Sequence, residues 1–178
     1  SFWQEESTVR KLSEMLVLLH SQAIMDQEFY RVEFDLEKNT YRVGVMKSET
    51  GVNSTVITDQ SEGYLSLELA AFLSPSMDSE QTMIPPPAFP SLAEPQPLPG
   101  EMKFQDVRTP RGKVETQDPG NPPYLLFSPR GFSEFGVIHL KYGSGQPVTI
   151  FVNPWTGLTE IYREYKDFEW TLNKDKKK

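Results

Sequence analysis

Cysteine is absent from this 178-residue chain, and histidine occurs only twice, at His20 and His139. The first absence excludes disulfides and thiolate metal sites, but it names no compartment, since exported proteins often lack cysteine too. The second leaves little material for histidine-based catalysis. No apolar run approaches the roughly 20 residues a membrane-spanning helix needs, and no secretory signal pattern opens the sequence. Basic charge is in short supply: 18 Lys and Arg face 25 Asp and Glu, a formal net charge of −7. That balance disfavours sequence-independent binding to phosphate backbones. Apolar residues make up 37% of the chain, a low share that a proline-rich middle segment dilutes. The length suits one domain over residues 1–178 and is short for two.

What is present begins with a helical period. Residues 4–29 place Val9, Leu12, Leu16, Leu19 and Ala23 at steps of three and four, with Met15 widening the stripe. Glu5 and Glu6 fall in the first turn, where carboxylates suit the helix dipole. Leu18 and Met25 lie on the far side among Arg10, Glu14 and Ser21. Such residues are either ordinary surface or a second contact face for a neighbouring subunit. From Tyr30 the period drops to two. Val32, Phe34 and Leu36 alternate with Arg31, Glu33 and Asp35, and after Glu37-Lys-Asn-Thr40 the alternation resumes at Tyr41, Val43 and Val45. Two such runs joined by four residues, with Asn39 able to turn left-handed, predict a β-hairpin with one buried face. Arg31, Glu33 and Asp35 read as its wet face. A helix leading into a hairpin predicts an α+β fold, the helix lying on antiparallel β-sheets lined by Val32, Phe34, Val43 and Ile150.

Residues 48–60 are polar and read as loop. Tyr64 to Leu73 reads as a short helix or a strand, with the helix favoured. Ser74 to Gly100 carries eight of the fifteen prolines, including Pro85-Pro86-Pro87. That density predicts an extended or disordered surface loop that joins no ladder. Met102–Val107 and Lys113–Gln117 read as strands. Tyr124–Phe127, Gly136–Leu140 and Val148–Val152 follow, punctuated by Ser128-Pro-Arg-Gly131 and Asn153-Pro-Trp-Thr-Gly157. Leu158 to Tyr165 alternates once more. Phe168 and Trp170 are placed to fold back on the body, and residues 173–178 read as a disordered basic tail.

Little of this suggests covalent chemistry. His139 sits between Ile138 and Leu140, so with those two pointing inward it is expected to face solvent. No local Ser-His-Asp or Cys-His arrangement exists, and no carboxylate pair has a distinctive acid/base spacing. Gly143-Ser-Gly-Gln-Pro147 lacks the Lys-Ser/Thr of a phosphate loop and leads into a strand, so it reads as a hairpin turn. No EF-hand spacing occurs. No catalytic residue, cofactor or metal is expected.

The order of these elements resembles the GspH/FimT-type minor pseudopilins and pilins. Val9-Arg-Lys-Leu-Ser-Glu-Met-Leu-Val-Leu-Leu-His-Ser-Gln-Ala-Ile24 is similar to that family's helix. Tyr41-Arg-Val43 resembles its second strand, and Leu98-Pro-Gly-Glu-Met-Lys-Phe104 the segment opening the next. Phe127-Ser-Pro-Arg-Gly131 and Val152-Asn-Pro-Trp-Thr-Gly157 complete the order. The resemblance covers roughly two thirds of the chain and leaves the proline-rich part unmatched. The family's prepilin-peptidase site and apolar N-terminal segment are missing here, so Glu5 and Glu6 do not stand for its assembly glutamate. The resemblance implies a subunit anchored in the bacterial inner membrane by such a segment, with its head in the periplasm. It implies assembly near the tip of a type II secretion pseudopilus with the major pseudopilin and minor pseudopilins of the I, J and K types. The soluble domain alone would be mainly monomeric and would bind no nucleic acid. The candidate partner contacts are Leu18 and Met25 together with Pro85, Pro86 and Pro87. The alternative is a FimT-like minor pilin of a type IV pilus that captures DNA, with Lys174, Lys176, Lys177 and Lys178 as its basic element.

Overall fold

The computed structural model describes residues 2–48 and 81–168. The expected loop after Ser48, the short helix over 64–73, the proline-rich stretch before Gln81, Trp170 and the basic tail lie outside the described residues. The helix α1 runs Phe2–Asp26. It stops earlier than its period suggests because Gln27 takes a left-handed conformation (φ 54°). Glu28 N–H then donates back to the Ala23 carbonyl at 3.2 Å, the six-to-one bond of a Schellman end. The Gln27 side-chain amide adds a bond to the Ile24 carbonyl at 2.6 Å.

The chain then forms β1 (Phe29–Asp35) and β2 (Thr40–Ser48), antiparallel and in register from Phe29 opposite Met46 to Asp35 opposite Thr40. Asn39 is left-handed, as expected (φ 52°). Asp35 closes the loop by accepting the N–H groups of Glu37 and Lys38. Next come β3 (Gln81–Ile84), the 3-10 turn Pro90–Ala93 and β4 (Gln96–Pro97). The remaining strands are β5 (Lys103–Thr109), β6 (Gly112–Val114), β7 (Tyr124–Phe127), β8 (Gly136–Lys141), β9 (Pro147–Val152) and β10 (Thr159–Tyr162). They form two antiparallel sheets. The first has the order β3-β2-β1-β7 with β4 also on β2; the second runs β10-β9-β8-β5-β6. Leu12, Leu16 and Leu19 of the helix share one core with Val32, Phe34, Val43 and Ile150, as the alternation predicts.

The described part of the proline-rich stretch corrects the expectation that it joins no ladder. Gln81–Ile84 contains no proline, keeps its N–H groups and pairs with Val45–Ser48. Gln96 and Pro97 pair with Tyr41 and Thr40 further along the same edge of β2. An edge strand tolerates proline because one side of it needs no donor. The close approach is made possible by Gly44: a Cβ there would lie 2.0 Å from the Met83 Cγ. Leu92 and Leu98 pack onto the core.

Candidate functional site

The residues singled out as partner contacts occupy two separate elements. On α1, Leu18 is half-buried and Met25 is 74% exposed. Pro85 and Pro87 are exposed, whereas Pro86 is buried. These prolines follow β3, which β2 separates from β1 and β7, the strands of that sheet that meet the helix. The expected contact face therefore divides into a helix surface and a sheet edge.

His139 departs from expectation. It has no exposed surface. Its Nδ1 lies 2.6 Å from Asp106 Oδ1, and its Nε2 donates to the Lys166 carbonyl at 2.8 Å. The Tyr165 ring stacks on it at 3.8 Å, and the Tyr165 hydroxyl donates to Asp106 Oδ2 at 2.8 Å. The cause is a row in register across the second sheet: Asp106 opposite His139, His139 opposite Thr149, Thr149 opposite Tyr162. Residues 163–168 cross this row on its outer side. Thr149 Oγ1 donates to the Glu164 carbonyl at 2.6 Å and accepts the Lys166 N–H at 3.0 Å. Phe168 ends the crossing against Phe151, ring centroids 4.6 Å apart, so this aromatic folds back as expected. Asp106 reaches the outer face through a register shift between Phe104 and Asp106. Such a bulge inverts the alternation. The ring is sealed and both its nitrogens are engaged, so the His–Asp pair fastens the chain and has no room for a substrate.

Glu33 also differs from the wet strand face expected of it. It is buried, and it accepts from Arg31 at 3.0 Å and Arg42 at 2.7 Å. The Arg31 guanidinium lies 3.7 Å from the Tyr124 ring centroid, and that of Arg111 lies 3.8 Å from it. Arg111 in turn pairs with buried Glu134 at 2.8 Å. Every member of this cluster is engaged by a neighbour. Among the described residues, no three His, Cys, Asp or Glu side chains converge to hold a metal.

Exposed apolar surface gathers at the two ends of α1. At its C-terminal end the turns 128–131 and 153–157 meet, Ser133 N–H donating to the Pro154 carbonyl at 3.0 Å. Gly157 (φ 69°) packs so close to the His20 ring that a Cβ would lie 2.1 Å from it. Ile24, Met25, Trp155 and Leu158 are exposed around these turns. At the N-terminal end the helix and the β8–β9 turn bound a cleft of about 400 Å³. Glu6 lies at its back, accepting from the Tyr142 hydroxyl at 2.6 Å and from Arg163. Burial pushes the Glu6 carboxyl up, but those two bonds and the Arg163 and Arg10 charges outweigh it, leaving it below its ordinary value of 4.5. Burial and the contact with Glu6 push the Tyr142 hydroxyl up to about 12. Trp3, 79% exposed, stands at the rim. Sequence reasoning missed this cleft. Phe2, Glu6 and Arg10 recur at steps of four, a signal that was available, but their partners Tyr142 and Arg163 are remote in the chain.

Among the described residues, no helix is long and apolar enough to cross a membrane. No family model matches the sequence, and neither does any curated protein. The likeness lies in three dimensions. The minor pseudopilin EpsH of the Vibrio cholerae Type 2 Secretion System superposes with a TM-score of 0.54 at 11% identity, over 93% of this chain and 99% of that one. The chain has the α+β, pilin-like fold of that minor pseudopilin: one N-terminal helix on antiparallel sheets.

Proposed function

We propose that this chain is a structural subunit of the minor pseudopilin kind and works by association in a type II secretion pseudopilus. The observation that carries the reading is the near-complete overlap of fold with such a subunit, 93% of one chain against 99% of the other. The surface supports it. The helix buries one face and leaves apolar side chains exposed at both ends, while the buried His139 and the Arg111–Glu134 pair are committed to holding the fold. In this reading a membrane segment preceding α1 anchors the subunit and the head stands in the periplasm. It assembles near the filament tip with minor pseudopilins of the I, J and K types and with the major pseudopilin, and it catalyses no reaction.

The experiment removes the gene from its native host and measures export of folded proteins, with restoration by the intact gene. In parallel, the soluble chain is mixed with the heads of neighbouring minor pseudopilins, and mass is followed by light scattering. The expected outcome is lost export together with a complex of defined mass. Intact export combined with lost DNA uptake would point instead to a minor pilin of a type IV pilus.

A further inference from the structure

We propose that the cleft at the start of α1 is where another pilin-like head docks, and that it receives a carboxylate-bearing side chain set beside an apolar one. This rests on the association reading and names the face that reading would use. One wall is a stripe of the helix, with Phe2, Trp3, Glu6 and Arg10; the other carries Tyr142 and Arg163. The volume of about 400 Å³ falls within the range that holds a compact ligand group.

The back of the cleft is braced. Glu6 is held by the Tyr142 hydroxyl and by Arg163, and the Phe2 and Tyr142 rings lie 6.0 Å apart. A surface fixed in this way loses little freedom on binding. The rim is open, because Trp3 and Arg10 project into solvent. Tryptophan, tyrosine and arginine are the residues that most often dominate binding energy when they cluster around one pocket.

Charge selects the occupant. The chain as a whole is acidic, at −7, yet two guanidinium groups meet one carboxylate here. Glu6 is already engaged twice, which leaves Arg10 to meet an incoming anion. The aromatic faces beside it ask for an apolar neighbour on the same partner. The other exposed region, around Ile24, Met25, Trp155 and Leu158, is mainly apolar, with Arg130 of the 128–131 turn exposed beside it.

The test titrates the soluble heads of the minor pseudopilins encoded beside this chain into the wild type and into Trp3→Ala, Arg10→Glu and Arg10→Lys. Trp3→Ala and Arg10→Glu are expected to weaken binding about 30-fold, the size of a hot-spot truncation. Arg10→Lys should keep most of the affinity, and rising salt should weaken the wild-type complex. Trp3→Ala and Arg10→Lys should leave the melting temperature in place, because both side chains are exposed and the lysine keeps the charge beside Glu6. Arg10→Glu loses that charge, so its binding is measured well below its own melting temperature. Heads that bind wild type and all variants alike would overturn the docking site and leave the association reading standing. If no head binds the wild type, the association reading fails and the docking site with it. Self-association of the chain, or capture of a DNA oligonucleotide, lost on Arg10→Glu would replace the proposed occupant with a second copy or a nucleic acid.

Discussion

The outer faces of the two sheets solve one problem in different ways. Each carries polar residues that alternation turns away from the core. In the first sheet Glu33 is sheltered from within, by Arg31 on its own strand, Arg42 on the next and the Tyr124 ring stacked on Arg31. In the second sheet the row Asp106, His139, Thr149 is covered from outside, by residues 163–168 crossing over it. One face is held largely by its own strands, with Arg111 of the β5–β6 turn reaching over the Tyr124 ring; the other depends on residues 163–168 laid across it. Alternation thus tells which side of a strand faces the core and leaves open whether the other side meets water.

The largest effect is expected where the two sheets share a core. Leu16 is fully buried in that core. Leu16→Asp places an unpaired charge there and should cost on the order of 3 kcal/mol or more. Thermal unfolding followed by circular dichroism measures it, and an unchanged melting temperature would refute the packing of α1 on both sheets.

The outer faces should then separate. Asp106→Ala removes the carboxylate that holds His139 Nδ1 and accepts the Tyr165 hydroxyl inside a sealed site, at roughly 2 kcal/mol. Glu33→Ala leaves Arg42, whose side chain is 49% exposed, free to turn to solvent, while Arg31, 18% exposed, keeps its seat on the Tyr124 ring, and should cost about 1 kcal/mol. Hydrogen exchange adds the location: Asp106→Ala should speed exchange in β8 and β9 while β1 and β2 keep their protection. Equal costs, or loosening of both sheets together, would erase the distinction between a face held largely by its own strands and one covered by a crossing segment.

The smallest effect concerns acid. Glu6 is lowered in the folded chain despite the opposing effect of burial, through its bonds to Tyr142 and Arg163. A carboxylate lowered on folding contributes stability that is present above its unfolded value, here about 4.5, and fades as pH falls through the lower folded value. Glu6→Gln should therefore lower the melting temperature slightly near neutrality, where the wild-type contact is fully charged, and the two profiles should converge as pH falls below 4.5, so that the variant's acid limb is flatter. A variant with the same acid limb as wild type would show that this contact adds nothing to the joining of α1 to the segment after β10.

The helix, the hairpin and the two proline-marked turns were legible because each is set locally, by a 3.6 period, a period of two or a breaker. Asn39 was readable as the hairpin's left-handed residue, while the equally left-handed Gln27 was not, since glutamine carries no such bias. Burial of His139 and Glu33 was not legible, because it depends on strands and segments far along the chain. The bulge before Asp106 has no strong residue signature. The pairing of β3 with β2 was hidden by the prolines around it, although the short run Gln81–Ile84 has none. Of the candidate contacts, the exposure of Met25 followed from helix geometry. The cleft did not, since half of it is built from Tyr142 and Arg163.

Among the described residues, the helix α1 is fastened to β10 and to the residue that follows it. Ser13 bonds Thr159 across 146 positions, and Glu6 bonds Arg163 across 157. During synthesis at roughly 5–20 residues per second, the apolar stripe of α1 must wait some seconds before β10 exists to cover its flank. Such late, long-range closure slows folding. A ribosome-stalled chain ending before Thr159 should accordingly stay sensitive to protease within α1, while one extended past Phe168 becomes resistant.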